Sequence, residues 1–380
     1  MIEKIIVFYG SSRDFDGLLK EDSVVTDDVT SFVEVIQHYN ARIRPSEAAV
    51  KEADLARKLK AEVCVVRTDD YGSVLEHVLA NFVNIITRNY DIGALYVQNP
   101  PKRVLRSLFA SCPDIIQIRH SEYMVLSRAV LSNAYEKLQS TVQGQEKGKK
   151  SLIGGLYKAT AEKRQKPIVI MLYGPSGVGK TETAKSISAA LGGNLLRLQF
   201  SMMQTNEAFD YIFGAEHSKV SFARDMLARE TNVILIDEFD KVNPRFYNAF
   251  YELFDEGHFA DTNYDLDLPN AIFLLTGNFN SENEIKSTLG PAMYSRVDAC
   301  IKYEDLSKEQ KQSIVRKWYT EILTLLQEDE KQVIESTNIL QWFIDNAARY
   351  DNIRILKTKM ENAVFTKLAE VFVLDPSTEK

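Results

Sequence analysis

Residues 174–181, Gly-Pro-Ser-Gly-Val-Gly-Lys-Thr, have the composition and spacing of a turn that binds phosphate. The turn follows an apolar run, Ile168–Tyr173, and opens a helix-like segment over 181–191 that Gly192 can terminate. Glycines allow a tight turn whose backbone N–H groups converge on phosphate oxygens, and the positive end of the following helix favours negative charge. Motif and context together match a P-loop. We expect Lys180 to reach the β- and γ-phosphates of a nucleotide, and the Thr181 hydroxyl to coordinate Mg²⁺.

Two adjacent carboxylates, Asp237 and Glu238, follow the apolar run Val-Ile-Leu-Ile. Such a run predicts a strand buried on both faces, and ligands of open α/β sheets bind beyond the carboxyl ends of the strands. We expect Asp237 to hold Mg²⁺ through water and Glu238 to polarise the attacking water. The predicted cofactors are ATP and Mg²⁺, with Thr181 and Asp237 as the metal-binding pair. The predicted nucleotide-binding residues are Gly174, Pro175, Ser176, Gly177, Val178, Gly179, Lys180, Thr181, Glu182 and Asp237.

Three further side chains are compatible with phosphate chemistry. Asn278 follows a strand-like run over 271–276, where a neutral amide can hydrogen-bond the attacking water or the γ-phosphate, although such residues are also common in turns. Arg296 and Arg354 carry the forked charge that suits phosphate oxygens, yet surface arginines are often found in incidental ion pairs. The local sequence leaves both readings open for each residue.

The first 130 residues alternate short apolar runs with helix-like stretches over 29–39 and 74–86. This alternation predicts a small α/β domain with a parallel sheet. Its predicted strands are 5–9, 62–67, 94–98 and 115–119. The segment 122–142 is interpreted as an amphipathic helix leading out of that domain. The polar, glycine-containing stretch that follows predicts a linker.

A second α/β pattern begins at Ile168, and the pattern becomes all-helical after Leu306. Its predicted strands are Ile168–Tyr173, 195–200, Val233–Asp237 and 271–276. Ser307 and Gln310 resemble a capping box ahead of a helix over 311–327, and helices are predicted near 337–350 and 354–371. The predicted domains are 1–142, a linker over 143–166, a nucleotide-binding domain over 167–305 and a helical lid over 306–380.

The composition is that of an ordinary soluble protein, with a net charge of −7. Residues 1–150 contain 20 basic and 20 acidic residues, so the excess negative charge lies in the second half. This distribution disfavours nucleic acid as a partner. No apolar run reaches the roughly 18 residues of a membrane helix, and the N-terminus lacks the layout of a secretory signal. Cys64, Cys112 and Cys300 show no pair spacing, so we expect a cytoplasmic protein without disulfides or zinc.

Residues 167–372 resemble the AAA+ ATPase module of Clp-type unfoldases, above all the second ATPase module of the Clp disaggregases. The motifs that carry this resemblance are Gly-Pro-Ser-Gly-Val-Gly-Lys-Thr-Glu, Ile-Leu-Ile-Asp-Glu-Phe-Asp-Lys-Val-Asn-Pro, Phe-Tyr-Glu-Leu-Phe-Asp-Glu-Gly-His-Phe-Ala-Asp, Leu-Leu-Thr-Gly-Asn, Ser-Arg-Val-Asp and Asn-Ile-Arg-Ile-Leu-Lys. The resemblance implies a three-layer α/β domain with a helical lid that assembles into a ring, usually of six, with nucleotide between neighbours. It also implies that Asn278 is the sensor-1 residue, Arg296 the arginine finger offered to the next subunit and Arg354 the sensor-2 arginine.

One segment departs from the pattern of threading Clp proteins. Residues 212–222 are several residues shorter than the corresponding stretch and lack the glycine-flanked aromatic residue that grips substrate in the pore. Torsins, a Clp-like branch, similarly lack such a loop. Phe222 is therefore expected to pack in a core rather than to face a channel.

The leading functional hypothesis is an ATP-driven protein remodeller whose first domain recognises an unidentified protein client, as appended domains do in Clp-like proteins. The alternative is a nucleotide-controlled switch or scaffold that assembles without threading. A nucleic-acid-dependent ATPase is a third, disfavoured reading. The first domain resembles no known family; Gly10-Ser-Ser-Arg13 follows its first strand as a plain turn or, with its single glycine, as a weak phosphate-binding candidate.

Overall fold

The computed structural model describes residues 2–24, 29–43, 58–161, 166–199 and 206–374. Two five-stranded parallel sheets occupy these ranges, followed by a group of helices. Each sheet is flanked by helices on both faces, as parallel sheets require.

The first sheet is parallel, as the alternating pattern of the first 130 residues predicts. Its strands are β1 (Lys4–Tyr9), β2 (Val29–Ser31), β3 (Leu59–Val66), β4 (Tyr90–Gln98) and β5 (Ile116–His120), in the spatial order β2-β3-β4-β1-β5. Its helices are α1 (Ser12–Glu21), α2 (Phe32–Ile43), α3 (Glu76–Ala80), α4 (Phe82–Asn89) and α5 (Lys102–Ser111). Alternate residues of β1 point to opposite faces: Ile5 packs with Phe32 and Phe82 on one side, and Ile6 packs with Phe15 on the other.

Two predicted helices of this domain were wrong in detail. The stretch predicted as a helix over 29–39 begins with the short strand β2, because residues 29–31 pair with β3 at the edge of the sheet. The stretch over 74–86 is divided between α3 and α4 at Asn81. Neither sheet pairing nor this break leaves a clear signal in hydrophobic spacing alone.

The second sheet contains the predicted strands of the second α/β pattern. Its members are β6 (Ile168–Tyr173), β7 (Leu196–Gln199), β8 (Val233–Asp237), β11 (Ile272–Gly277) and β12 (Ala299–Lys302), in the order β12-β6-β11-β8-β7. A separate hairpin consists of β9 (His258–Ala260) and β10 (Asp265–Asp267). β6, β8 and β11 are buried along their whole length, as their apolar runs predict. Residue 200, the last of the predicted 195–200 strand, lies outside the described residues.

Helices cover both faces of this sheet and give the predicted three layers. They are α6 (Arg128–Thr141), α7 (Glu146–Tyr157), α8 (Lys180–Ala190), α9 (Asn206–Phe213), α10 (Phe222–Leu227), α11 (Tyr247–Asp255) and α12 (Glu282–Tyr294). α6, α7 and α8 contribute to the core on one face, and α9 to α12 contribute to the core on the other. Phe222 is fully buried among Phe250 and Phe259, which confirms its predicted place in a core.

The linker predicted over 143–166 was wrong for most of its length. Residues 146–157 form α7, whose Leu152 and Leu156 are fully buried in the core of the second sheet. α6, predicted to lead out of the first domain, places Leu131 and Leu138 in the same core. The helix pair therefore belongs structurally to the second sheet, and the boundary lies before Leu126 rather than at 142. The apolar residues of α7 are few and separated by lysines and glycines, so their periodicity is weak. Residues 162–165 lie outside the described part.

The remaining helices pack around a separate core. They are α13 (Lys308–Leu323), α14 (Glu328–Glu335), α15 (Ile339–Asn346) and α16 (Ile353–Ala369), followed by a short turn of π-helix over Glu370–Leu374. The predicted capping box is present, because Ser307 accepts from the N–H of Gln310 and the Gln310 side chain accepts from the N–H of Ser307. The helix predicted over 311–327 ends earlier, at Leu323. Residues 375–380 of the predicted lid lie outside the described residues.

The two sheets contact each other through polar groups near the carboxyl edge of the first. Arg13 donates to Glu230 Oε2 at 3.3 Å and to the carbonyl of Gly192. Lys102 donates its backbone N–H to the carbonyl of Asn263 at 2.7 Å. No helix in the described part of the chain is both long enough and apolar enough to cross a membrane.

Candidate nucleotide-binding site

The turn after β6 has a backbone that only glycine adopts easily. Gly174, Gly177 and Gly179 have φ of +133°, +85° and +105°. A Cβ atom on Gly174 would lie 2.1 Å from the carbonyl oxygen of Tyr303. The strand, the strained turn and helix α8 therefore have the arrangement that the sequence predicts.

Four backbone donors of this turn have no acceptor among the described residues. The N–H groups of Ser176, Gly177, Val178 and Gly179 donate no hydrogen bond to any described residue. Unpaired backbone donors are costly unless water or a ligand accepts from them. Four successive donors at the start of an eleven-residue helix fit a phosphate group, so the turn passes this test for a nucleotide.

Lys180 is buried over this turn. Its ammonium donates to the carbonyls of Gly174 at 2.6 Å and Pro175 at 2.7 Å, and to Asn278 Oδ1 at 3.2 Å. Burial lowers the pKa of Lys180 to about 8, an effect that the nearby Asp240 and Asp237 oppose and that Arg354 reinforces. All three oxygens bound by the ammonium are neutral, so a phosphate oxygen would be a stronger partner for this charge.

The two carboxylates at the end of β8 face the same region. Both Nε and Nη2 of Arg197 contact Asp237 Oδ2, at 2.9 and 2.6 Å, and the Thr276 hydroxyl donates to Asp237 Oδ1. Glu238 has a left-handed backbone with φ of +56°, and its N–H donates to Thr276 Oγ1 at 3.0 Å. Its carboxylate lies 3.2 Å from the ammonium of Lys241. Thr276 thus binds both the carboxylate of Asp237 and the backbone of Glu238.

These groups enclose a cavity of about 460 Å³, within the usual range for small-molecule sites. The predicted site residues that line it are Ser176, Gly177, Gly179, Lys180, Thr181, Glu182, Asp237, Glu238, Asn278 and Arg354. Gly174, Pro175 and Val178 do not line it: the first two supply carbonyls to Lys180, and Val178 is buried in the core. Glu182 pairs with Lys185 at 3.5 Å.

Arg354 reaches the cavity because α16 begins beside the turn. Asn352 caps this helix by accepting from the Arg354 N–H at 2.9 Å. A Cβ atom on Gly177 would lie 2.8 Å from Ile353 Cγ2, so the helix start and the turn are in close contact. The helical region therefore closes one side of the cavity.

Arg296 does not line this cavity. Its Nε and Nη2 atoms lie 2.9 and 2.7 Å from Asp255 Oδ2, and its guanidinium lies 4.4 Å from the centre of the Tyr251 ring. Within one chain the residue is therefore in a structural ion pair, apart from the other predicted catalytic residues.

Sequence reasoning missed several residues around the turn. Arg197, Gln199 and Thr276 line the cavity, and Gln145 donates to the carbonyls of Glu304 at 2.7 Å and Val178 at 3.4 Å. Alternation along the predicted strand could have identified Arg197 and Gln199 as residues on one face. Nothing in the sequence places Gln145 against the turn, because it lies in the segment interpreted as a linker.

The donor set suits magnesium held together with phosphate. The described residues contain no group of three or more His, Cys, Asp or Glu side chains that could hold a metal by themselves. Thr181 and Asp237 line the same cavity and offer hydroxyl and carboxylate oxygens. Mg²⁺ is commonly bound by one or two such protein oxygens plus substrate phosphates and water.

The chain is similar to several known proteins. The AAA domain family (Cdc48 subfamily) matches residues 165–326. A ClpA homolog protein of Fuscovulum blasticum is 30% identical over 214 residues, covering 49% of this chain and 27% of the relative. The chaperone protein ClpB of Prochlorococcus marinus is 25% identical over 285 residues, covering 64% and 32%. The ATP-binding subunit ClpC of the ATP-dependent Clp protease of Staphylococcus aureus is 24% identical over 241 residues, covering 52% and 30%.

The fold comparison extends further along the chain. A closed-state cryo-EM reconstruction of Hsp104 with ATPγS and FITC-casein aligns with a TM-score of 0.55 and 14% identity, covering 99% of this chain and 90% of that one. The chain spans only about a third of the length of the curated relatives that it matches. Residues 165–326 thus match the AAA domain family, and the curated relatives to which the chain is similar include ClpA-, ClpB- and ClpC-type proteins.

Proposed function

We propose that this chain binds MgATP in the cavity between the 174–181 turn and the end of β8, and hydrolyses it there. One observation carries the proposal: a turn with unsatisfied backbone donors, of which Ser176, Gly177 and Gly179 line the cavity, shares that cavity with the Lys180 ammonium and two carboxylates. If the N–H groups of this turn already donated to protein acceptors, the fold alone would not predict a bound triphosphate.

Each residue has a role that follows from its position. The turn amides and Lys180 bind and orient the phosphates, Asn278 offers a neutral amide to the attacking water, and Glu238 accepts the proton of that water. Bound Mg²⁺, held by Thr181 and Asp237, would neutralise charge on the phosphate oxygens. Arg354 adds a positive charge from the helical side of the cavity.

Calorimetric titration of the full chain with ATP and Mg²⁺ tests this proposal. We expect Lys180→Ala to weaken binding by about 10- to 100-fold, because a hydrogen bond to a charged group contributes about 1.5–3 kcal/mol. Lys331→Ala is the matched control: this lysine is paired with Glu328 on α14, away from the cavity, and its loss should leave binding unchanged. Absence of any heat with the wild-type protein would refute nucleotide binding.

We further propose that the chains assemble into a ring of six and that Arg296 reaches the ATP of the next subunit. Asp255, the Ala292 carbonyl and the Tyr251 ring hold this guanidinium in one orientation outside its own cavity. An arginine supplied by a neighbour contributes about 10³- to 10⁵-fold to turnover in other NTPases. Arg296→Ala should therefore lower turnover strongly while the ring, measured by light scattering, stays intact.

Mixing two inactive variants separates a finger acting between subunits from a merely structural arginine. Arg296→Ala chains have an intact cavity, and Glu238→Gln chains have an intact arginine. Activity should reappear in mixed rings wherever the two intact parts meet at one interface. Continued inactivity of well-formed mixed rings would count against the assignment.

The work that hydrolysis drives is proposed to be remodelling of a protein client in the cytoplasm, with the first domain as the recognition module. The names of the relatives support this, since they include chaperones and a subunit of a Clp protease. ATP-dependent loss of structure in a tagged reporter protein, followed by its fluorescence, tests the proposal. Deletion variants are unsuitable here because the two sheets are in contact.

A specific observation favours the alternative of a switch or scaffold that does not thread polypeptide. The segment between α9 and α10 is attached to the first domain: His217 Nε2 donates to the Val74 carbonyl at 2.7 Å, and Arg224 pairs with Asp69. A Cβ atom on Gly72 would lie 3.5 Å from the carbonyl of Ser218. Threading relatives use the corresponding segment in the pore, whereas here these contacts hold it against the first sheet.

The same reporter assay distinguishes the two functions. A remodeller should unfold at least one of several reporters at the expense of ATP. A switch should hydrolyse ATP and change its assembly state without unfolding any of them. His217→Ala and Asp69→Ala, which release the segment, should leave the behaviour of a switch unaffected in that assay.

A further inference from the structure

The arginine on the edge strand β7 has a position that the catalytic scheme above does not use. Arg197 directs Nε and Nη2 onto a single oxygen of Asp237, at 2.9 and 2.6 Å. The other carboxylate oxygen of Asp237, Oδ1, accepts a hydrogen bond from the Thr276 hydroxyl. Both oxygens of the carboxylate expected to hold Mg²⁺ are thus engaged by protein donors.

This arrangement conflicts with metal binding at the same carboxylate. A guanidinium and Mg²⁺ are both cations, and sharing one buried carboxylate oxygen between them is unfavourable because like charges repel strongly where solvent is scarce. The Asp237 side chain is only 8% exposed, so water screens this repulsion weakly. A metal-bound water, through which Asp237 is expected to hold Mg²⁺, can reach Oδ2 only after Arg197 has moved.

Arg197 is half exposed, and a triphosphate bound in the same cavity would offer its guanidinium another anion. Its side chain is 42% exposed and lines the cavity together with Thr181 and Lys180. β7 is the edge strand of the sheet, and no described strand lies on its outer side. A guanidinium forks onto phosphate oxygens as well as it does onto a carboxylate.

We propose that Arg197 is an exchangeable counter-ion of Asp237, an inference that rests on the proposed MgATP site. In the nucleotide-free chain it neutralises and orients the buried carboxylate. With metal and triphosphate bound, Asp237 would be released to hold Mg²⁺ and the Arg197 guanidinium would instead bind the terminal phosphate. Arg197 thereby links occupation of the metal site to the presence of a third phosphate, and it acts as a positioning residue.

Equilibrium binding measures both halves of this exchange without relying on turnover. Fluorescent ATP and ADP analogues are titrated into the full chain at a series of Mg²⁺ concentrations. In Arg197→Met the Mg²⁺ concentration that half-saturates ATP binding should fall about tenfold, because no cation competes for Asp237. The preference for ATP over ADP should also fall about tenfold, because the fork to the terminal phosphate is lost.

Two companion variants define the controls. Arg197→Lys keeps the charge but not the fork, so it should restore most of the Mg²⁺ requirement while recovering little of the ATP preference. Arg103→Met removes an exposed arginine that pairs with Glu76 at 2.6 Å in the first domain, and both readouts should stay at wild-type values. If Arg197→Met folds poorly, the loss of ATP preference in Arg197→Lys tests the contact with the terminal phosphate in its place.

The outcomes separate this inference from the function on which it rests. If wild-type protein fails to bind ATP, the proposed MgATP site is wrong. If wild-type protein binds and Arg197→Met keeps its Mg²⁺ midpoint, or keeps its ATP preference, the exchange is overturned while the site stands. A tenfold fall in both quantities supports it.

Discussion

The two sheets of this protein begin alike but leave their first turns in different chemical states. In each, the first strand runs into a glycine-containing turn and then a helix: β1 into α1, and β6 into α8. In the first sheet the Gly10 N–H donates to Asn99 Oδ1 at 2.9 Å and the Ser11 N–H donates to Ser121 Oγ at 3.2 Å. In the second, four successive N–H groups have no acceptor in the described part of the chain.

Side chains from neighbouring strands produce this difference. Asn99 follows β4 and Ser121 follows β5, and both turn toward the loop and satisfy its donors. Asn278 follows β11 at the corresponding edge, but its oxygen accepts from Lys180 and leaves the backbone donors open. A strand–turn–helix unit therefore becomes an anion site only where the surrounding sheet does not already supply acceptors. This supports the reading of Gly10–Arg13 as a plain turn.

The strongest test of the comparison exchanges one carboxylate in each sheet for its amide. Glu238→Gln should lower turnover by about 10²- to 10⁴-fold, the usual contribution of a positioned base, and should retain ATP binding. Asp14→Asn changes an acid that accepts from Ser121 in the first turn, and turnover should stay within about twofold. Phosphate release with parallel calorimetry measures both. Comparable loss in the two variants would show that the first turn takes part in catalysis.

The paired asparagines sharpen the contrast between structural and functional roles. Asn278→Ala should lower turnover by about 10²- to 10³-fold with little effect on unfolding, because it removes the polar group that we propose to bind the attacking water. Asn99→Ala should instead lower stability and leave turnover per folded molecule nearly unchanged. It leaves the buried Gly10 N–H without an acceptor, which costs about 1–3 kcal/mol of the free energy of unfolding. Thermal unfolding and turnover per folded molecule are the two measurements. Equal effects of the two variants on either one would contradict the comparison.

The pKa of Lys180 provides a smaller effect with a defined sign. Burial lowers this pKa to about 8, so the ammonium is charged below pH 8 and becomes neutral above it. ATP affinity should be flat up to about pH 7 and should fall by at most about tenfold per unit above pH 8, following the loss of one proton. Lys180→Arg stays charged throughout this range and should show no such decline. Calorimetry between pH 6.5 and about 9 checks this, and a parallel fall in both proteins would exclude Lys180 as the cause.

The contact between the two sheets should give the smallest effect. Arg13 reaches Glu230 at 3.3 Å, but its side chain is 53% exposed and solvent screens the pair. Arg13→Ala should therefore cost less than about 1 kcal/mol and leave ATP binding unchanged. A double-mutant cycle with Glu230→Gln in chemical unfolding isolates the coupling. A coupling energy well above that range would show that the two sheets depend on each other more than this single exposed pair suggests.

Much of the second sheet is predictable from sequence because its signals are local. Ile168–Tyr173 is apolar throughout, and Val233–Asp237 is apolar up to its final aspartate. The glycine-rich turn after the first run predicts a phosphate-binding loop. Asp237, Glu238 and Asn278 then meet because parallel strands bring their carboxyl ends to one edge. Ser307 with Gln310 is equally local, and its capping box is found as predicted.

The features that escape prediction depend on contacts between distant segments. α7 is helical because Leu152 and Leu156 find a core on the second sheet, although its lysines and glycines give little periodic signal. Arg197 can be placed on a strand from sequence, but its partner Asp237 is 40 residues away. Gln145 bridges Val178 and Glu304 by similar long-range bonds. Such pairings need the register of the sheet, which spacing along the chain does not contain.

The packing of α6 and α7 has a practical consequence for anyone dissecting this protein. A fragment that starts at residue 167, where the strand leading to the glycine turn begins, would strip Leu131, Leu138, Leu152 and Leu156 from the sheet. Burial of an apolar side chain of this size contributes about 1.5–3 kcal/mol to the free energy of folding. The truncated fragment would therefore be destabilised, and its exposed apolar surface should make it aggregate. Cloning boundaries placed before Leu126 keep that face covered, and soluble expression of the longer fragment alone tests where the folding unit of the second sheet starts.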